Sequence, residues 1–295
     1  MRIALIGAMG QLGTDLLRLL SQAANEVIPV PHSACDISNA EQVEHAVGTS
    51  KPGVVINTAA FHKVEECEQN PGRAFEVNAI GALNLARACH KHGAVLVHFS
   101  TDYVFGGDKR TPYEESDRPL PLSVYGASKV AGEHLIAQST KRFLIVRTTG
   151  LYGHAGSSGK GGNFVETMLR KAAEGGTIRV VNDQTLTPTF TLDLAQAVCH
   201  LVKADVFGLY HVSCEGECSW YDFARQIFTL QSLQVDLAPA ITEEFPSSVR
   251  RPSYSVLSKS RLRNTGLTMP AWEASLERYL HGRMKRQQAI SATQH

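Results

Sequence analysis

The chain has 295 residues, enough for one large domain or for a domain with a smaller companion. With 43% hydrophobic and 19% charged residues it has the make-up of an ordinary globular protein, which excludes a disordered or fibrous chain. A formal net charge of +1, with no dense Lys/Arg block, argues against nucleic acid or an anionic membrane as the main partner.

The first half alternates β and α. "MRIALIG" runs straight into an apolar strand with no signal-peptide pattern, and no apolar run is long enough to span a bilayer, so a cytoplasmic chain is expected. "QLGTDLLRLLSQA" follows with helical periodicity, and "EVIPV" is a second strand. "NAEQVEHAV" is a helix opened by Asp36, Ser38 and Asn39, and "GVVINTAA" is a third strand. One long helix is expected from Pro71 to Gly93, with Pro at its start and Gly at its end. "AVLVHFS" is the fourth strand, the helix containing "VYGASKVAGEHL" follows a loop, and "RFLIVRT" is the fifth strand. Apolar strands separated by helices of this length give a doubly wound parallel sheet covered on both faces.

The later part is less regular. "TIRVVND" and "FGLYHVS" read as strands, and "TLDLAQAVCHLVKAD" and "SWYDFARQIFTL" as helices, of a smaller α/β lobe over the carboxyl ends of the sheet. The expected division is 1–150 for the first domain, 151–282 for the lobe and 283–295 for a flexible tail, with 188–206 packing back on the first domain. The six cysteines, Cys35, Cys67, Cys89, Cys199, Cys214 and Cys218, are scattered and read as reduced core thiols. Cys214 and Cys218 have no second pair with which to hold zinc.

Several motifs fall at strand ends. Gly7, Gly10 and Gly13 lie between the first strand and first helix, where glycines permit a tight turn and close approach of the backbone to a pyrophosphate. The second strand ends in "VPHSACD". His32 and Ser33 stand where an acid would hold a ribose 2′-hydroxyl, which leans the reading to NADPH, although no arginine is seen to clamp a 2′-phosphate. Asp36 either lies near an adenine or helps cap the next helix. The small residues Ala59 and Ala60, near Asn57, would let a dinucleotide cross the sheet edge. Ser100, Thr101 and Asp102 put hydroxyls at the end of the fourth strand, either in a ligand crevice or as a turn cap. Tyr125 and Lys129, four apart, share one helical face, where an ammonium would lower the phenol's pKa.

Taken in sheet order, the glycine turn, the strand-four Thr and YxxxK resemble the extended short-chain dehydrogenase/reductase family. "GAMGQLG", "FSTDYVFGG", "NDQTLTPTFTLDLA", "GLYHVS" and "RRPSYSVL" resemble its branch of dTDP-4-keto-6-deoxysugar reductases, over residues 1 to about 280. The resemblance implies a Rossmann fold with a substrate lobe, NADPH as cofactor with NADH as the alternative, and reduction of the C4 ketone of a nucleoside-diphosphate sugar. Tyr125 would donate the proton, Lys129 would hold the nicotinamide ribose and lower the Tyr125 pKa, and Thr101 would polarise the ketone. The cofactor would be held by Gly7, Gly10, Gln11, Leu12, Gly13, His32, Ser33, Asp36, Ile37, Thr58, Ala59, Ala60, Asn78 and Ser100, with Tyr125 and Lys129. Asp102, Tyr103, Gly150, Asn163, Gln184, Trp220 and Arg251 would face the sugar nucleotide. Trp220 could equally anchor its helix, and Arg250 could be solvated; Arg251 is preferred because a guanidinium fork suits phosphate.

Neighbouring activities are weighed on the same residues. Dehydratases of the family carry Asp-Glu after the Thr, and Tyr103 stands in place of that Glu. C4 epimerases share the Tyr–Lys pair but lack the "NDQ…TPT" and "RRP" patterns. A regulatory subunit like the β subunit of methionine adenosyltransferase shares fold and pair, and would act as a binding partner. In "RTTGLYG", Gly150 replaces the family's usual Trp, which would enlarge the sugar pocket, and the loop "HAGSSGKGGNF" could supply a replacement wall. Of the acids with which some members bind magnesium at a dimer contact, only Asp15 is matched, so no metal site is expected; the chain would work as a monomer or homodimer.

Overall fold

The computed structural model describes residues 1–23, 25–155, 162–245, 247 and 249–293. The first half runs β1 (Arg2–Ile6), α1 (Gln11–Gln22), β2 (Glu26–Val30), α2 (Ala40–Ser50), β3 (Val54–Asn57), α3 (Val64–Gln69), α4 (Pro71–Phe75), a π-helical turn (Glu76–Ile80), α5 (Gly81–His92), β4 (Val95–Thr101), α6 (Val124–Ser139) and β5 (Phe143–Thr148). The remainder runs β6 (Leu151–Tyr152), α7 (Phe164–Glu174), β7 (Thr177–Val181), β8 (Thr185–Leu186), β9 (Thr189–Phe190), α8 (Thr191–Lys203), β10 (Gly208–His211), β11 (Cys218–Ser219), α9 (Trp220–Leu230), β12 (Asp236–Ala240), α10 (Ser260–Arg263) and α11 (Trp272–Thr293).

Six parallel strands form the main sheet in the order β10-β5-β4-β3-β1-β2. Alternate residues of each strand go to opposite faces. Leu5, Ile56, Val97 and Val146 meet Leu12, Leu16 and Leu20 of α1 and Leu194, Val198 and Leu201 of α8. Ala4, Val55, Leu96 and Ile145 meet Val43 and Val47 of α2, Leu85 and Cys89 of α5, and Ile136 of α6. Each fully buried aliphatic side chain here stabilises the fold by about 2 kcal/mol. In register, Ile6 pairs with Asn57 and Asn57 with His98, while β4 runs three residues further to Thr101. The strand ends therefore form a shelf.

Three expectations are corrected. "GLYH" is not a strand of the smaller lobe. As β10 it pairs with β5 at the edge of the main sheet, because α8 docks on α1 and delivers the following residues there. The βα alternation resumes after the lobe has been inserted. The long helix of residues 71–93 is interrupted by the π-helical turn, a feature common beside functional sites. Residues 283–293 are not a loose tail: α11 continues through them, since Arg, Lys, Gln and Ala extend a helix whose first turns are anchored by buried Leu276 and Tyr279. Residues 294–295 lie outside the described ones.

The smaller lobe has its own core. Tyr152, Phe190, Phe223, Trp272 and Tyr279 pack together with Val165 and Met168 of α7. β7 and β12 pair in parallel beneath it. Among the described residues no helix is long and apolar enough to cross a membrane.

Candidate active site

A cavity of about 940 Å³ opens at the carboxyl ends of the main strands, between the sheet and the smaller lobe. On the sheet side it is lined by the turn from β1 into α1. Gly7 has φ +76, and a Cβ there would lie 2.6 Å from Thr58 Oγ1, so the turn can neither curl nor clear β3 with any other residue. Gly10 caps α1 without a side-chain hydrogen bond, and the first turn holds no acid, which leaves a helix N-terminus suited to an anion. Gly10, Gln11, Leu12 and Gly13 all line the cavity, as do His32, Asp36, Ile37, Thr58, Ala59 and Ala60.

The centre is built by β4 and α6. Ser123 caps α6 by accepting from the Gly126 N–H (3.1 Å), which fixes where Tyr125 and Lys129 emerge. Thr101 at the tip of β4 is the hydrogen-bond partner of the Tyr125 phenol, and Tyr103 meets Tyr125 edge-on at 6.1 Å. Thr101 Oγ1 donates to Asp102 Oδ1 (3.0 Å), and Asp102 Oδ2 accepts from Thr149 (2.8 Å) and Ser255 (2.6 Å). Burial raises the Asp102 pKa, against the pull of these hydroxyls. Asp102 lines the cavity, yet both its oxygens serve neighbouring hydroxyls.

The Tyr125 pKa is raised, where the Tyr–Lys spacing led to the expectation of a lowered one. Burial holds the Tyr125 phenol well above its ordinary value. Burial also lowers Lys129 to about 8, and its Nζ stands 3.1 Å from His98 Nε2. The four-residue spacing brings the two side chains into one cavity, and desolvation is the first cause of both shifts.

At the far end of the sheet side, Arg73 of α4 lines the cavity, correcting the expectation that no arginine stands there. Its Nη2 donates to Asp36 Oδ2 (3.1 Å) and its Nη1 to Ser38 Oγ (3.2 Å). Burial works upward on the Asp36 carboxyl, but the Ser38 hydroxyl and N–H, with Arg73, hold it at about 2. Capping of α2 falls to Asn39 instead. Ser33 lies outside the lining. Asn78, in the π-helical turn, is also outside it: its amide accepts from the Phe61 N–H (2.9 Å) and donates to Phe61 O (2.9 Å) and Ser128 Oγ (3.0 Å). It shapes the loop after β3 and does not reach the cavity.

The lobe supplies the other wall. Asn163 caps α7, accepting from the Glu166 N–H (3.1 Å), and donates to Gly153 O (2.9 Å) and the Tyr279 hydroxyl (3.2 Å). Gln184 donates to Thr242 Oγ1 (2.9 Å), and Trp220 packs on Phe164 at 4.5 Å; all three line the cavity. Gly150 lines it too, with φ +56 and a Cβ position 2.9 Å from Leu186 Cδ1. A side chain at this position is therefore strained. The replacement wall expected from "HAGSSGKGGNF" falls largely on residues 156–161, outside the described ones. Arg251 stands just outside the lining: it pairs with Glu65, donates to Ser247 Oγ (3.1 Å) and is the hydrogen-bond partner of the lining residue Tyr103.

Some lining residues escaped the sequence reading. Thr149 follows a strand end just as Asp102 does, and "RTT" at the end of β5 was the available signal. Ser255 and Arg73 reach their carboxylates across 153 and 37 residues, which no local pattern reveals. Asp15 donates nothing to the cavity; it accepts from the Thr191 hydroxyl (2.6 Å). Among the described residues no three His, Cys, Asp or Glu side chains cluster for a metal.

The sheet side fits a dinucleotide. Gln11 Oε1, Ser100 Oγ and Thr148 Oγ1 are buried in the lining without a partner among the described residues, beside the glycine turn and the small residues Ala59 and Ala60. Known proteins agree. The RmlD substrate binding domain matches residues 1–284. The spore coat polysaccharide biosynthesis protein SpsK of Bacillus subtilis is 42% identical, over 96% of this chain and 98% of that one. The crystal structure of a dTDP-4-dehydrorhamnose reductase from Clostridium acetobutylicum superposes with a TM-score of 0.92 at 40% identity, covering 96% of this chain and 100% of that one. That of the dTDP-4-dehydrorhamnose reductase from Bacillus anthracis, in complex with NADP, does so with 0.91 at 41%, covering 95% and 99%. With family-wide likeness along nearly its whole length and the Thr–Tyr–Lys centre in place, the chain belongs to the RmlD substrate binding domain family, that of the dTDP-4-dehydrorhamnose reductases.

Proposed function

We propose that the protein is an oxidoreductase that reduces the C4 ketone of a dTDP-4-keto-6-deoxysugar, taking dTDP-4-dehydro-L-rhamnose to dTDP-L-rhamnose with NADPH, and with NADH as a second reductant. The observation that carries this is one cavity in which the Thr101–Tyr125–Lys129 centre lies between a dinucleotide-shaped shelf and a separate lobe wall. Gly7, Gly10 and Gln11 would receive the pyrophosphate at the start of α1, and Thr58, Ala59 and Ala60 would receive the body of the dinucleotide. Gln11, Ser100 and Thr148 have polar atoms to spare for it. When bound, it supplies the hydride that goes to C4.

The chain's own residues do the rest. Tyr125 keeps its proton at neutral pH, because burial holds its pKa high, and is thus loaded as the general acid. Thr101, the hydrogen-bond partner of the Tyr125 phenol, is itself held by Asp102 and so aligns the acid. Asn163, Gln184, Trp220 and Tyr103 would face the sugar nucleotide, with Gly150 leaving room beside the ring. The reading carries a cytoplasmic location, in keeping with a relative named for polysaccharide biosynthesis, and a monomer or homodimer.

The test is NADPH consumption by the purified protein with a dTDP-4-keto-6-deoxyhexose, generated in place by a dehydratase and epimerase. Consumption with dTDP-rhamnose as product supports the reading. Tight NADPH binding without turnover of any nucleotide ketosugar overturns it.

A further inference from the structure

Donor and acceptor accounting behind Lys129 locates a proton on a residue that the reaction leaves idle. His98 is 1% exposed and sits on β4 directly beside Asn57 of β3. Asn57 Oδ1 accepts from the Ala59 N–H at 3.0 Å, which fixes the orientation of the amide. Its Nδ2 therefore faces His98 Nδ1, at 3.1 Å. An amide nitrogen offers only hydrogens, so His98 Nδ1 is the acceptor and the neutral ring carries its proton on Nε2. That nitrogen stands 3.1 Å from Lys129 Nζ. An ammonium has no lone pair, and two donors would face each other; an uncharged amine accepts.

The surroundings point the same way. Burial lowers Lys129 to about 8, and burial is the first cause that lowers His98 well below its ordinary value and leaves the ring neutral. On its own helix Lys129 has Tyr125 and Glu133, and both Glu133 oxygens are taken by Arg147 of β5 (2.9 and 2.6 Å). From α3, Cys67 faces Tyr125 and Glu68 accepts from the Val124 N–H; the π-helical turn presents the neutral Asn78 to α6. Asp102 is engaged with its three hydroxyls. Of these groups Glu133 favours a charged Lys129, and burial outweighs it.

We propose that His98, oriented by Asn57, is a positioning residue that favours the uncharged amine of Lys129, and that dinucleotide binding draws Lys129 from His98 and charges it with a proton taken from solvent. This rests on the dinucleotide reading above. The step balances simply: one N–H bond forms at Nζ, and a solvent or buffer acid loses the proton. Its consequence is that on the alkaline side of about pH 8 the cation able to stabilise a Tyr125 phenolate forms only as the hydride source binds.

The experiment is calorimetric titration of the whole protein with NADPH in buffers of different ionisation enthalpy, together with the ¹⁵N resonances of His98 in the unliganded protein. Uptake of up to about one proton per site is expected near about pH 9, falling towards none near about pH 6, where Lys129 is already charged. His98→Gln, whose carbonyl can accept from an ammonium, should cut the uptake roughly fivefold or more. Asn57→Asp, which accepts from Nδ1–H and turns the ring's proton over, should do the same and serves if the first variant does not fold. The free protein should show His98 protonated at Nε2 alone. A proton on Nδ1, tight binding without uptake at the higher pH, or full uptake in both variants overturns the proposal. Absence of NADPH binding at any pH overturns the reductase reading and the uptake with it, while the ring resonances, read without ligand, still decide the resting state of His98.

Discussion

The two walls of the cavity are built on different principles. On the sheet side the shape comes from backbone: a glycine turn, a bare helix start and small residues, with Gln11, Ser100 and Thr148 holding unpaired polar atoms. On the lobe side the same side chains that face the cavity also hold the lobe together. Asn163 caps α7 and ties it to Tyr279 of α11, and Gln184 ties the β7–β8 turn to Thr242. A wall made of backbone can bind without being altered by substitution, whereas a wall made of structural side chains couples recognition to folding. Removing a lobe residue should therefore change affinity and stability together, and removing the free polar group of Gln11, Ser100 or Thr148 should change affinity alone.

The largest expected effect lies at the seam of the two walls. Tyr125→Phe removes the proton donor and should lower kcat about a thousandfold, with NADPH affinity nearly unchanged by fluorescence titration. An active variant would mean that another group supplies the proton. Lys129→Met acts on the sheet side: kcat should fall on the order of a hundredfold and the NADPH Kd should rise, with little change in urea midpoint. Unchanged NADPH affinity would remove the ribose contact from its role.

Asp102→Ala leaves the Thr101, Thr149 and Ser255 hydroxyls without their acceptor and should cost about 2–3 kcal/mol in urea unfolding, with a loss of activity as Thr101 loses its orientation. Asn163→Ala should cost about 1–2 kcal/mol through the lost cap of α7 and raise KM for the sugar nucleotide in the same variant. If KM rose with no change in stability, the contrast between the walls would fail.

The smallest effect is in acid. Asp36 sits at about 2 when folded, below its ordinary 3.8, so the stabilisation it gives is complete above that ordinary value and lost as pH falls from about 4 towards 2. Thermal melts of Asp36→Asn should show a shallower loss than the parent across that window; parallel curves would mean that Arg73 and Ser38 do not hold the carboxylate.

How far the sequence could be read follows the same division. Gly7, Thr101, Tyr125 and Lys129 sit at strand ends or on one helical face, where spacing alone brings them together. The sheet was legible because apolar runs alternate with amphipathic helices. What escaped depends on distant pairing. Arg73 meets Asp36 only because α4 folds against the second strand's exit, and β10 joins the main sheet only because α8 docks on α1. The state of Lys129 was missed because spacing shows which charges are near one another, but not how much water has been removed around them. Arg251 was read by chemical aptitude for phosphate, and Glu65 claims it instead.

The placement of α8 and β10 has a consequence for how the chain can be divided. On a ribosome, the half that carries the glycine turn emerges first, yet its sheet lacks an edge strand and α1 lacks its companion until residue 211 has been made. A fragment cut at residue 150 would leave the backbone of β5 unpaired along one side and the Leu12, Leu16 and Leu20 stripe in water, an invitation to aggregate. The two lobes are distinct in space but interleaved in the chain. They can be neither synthesised nor inherited as separate cassettes without rebuilding that edge.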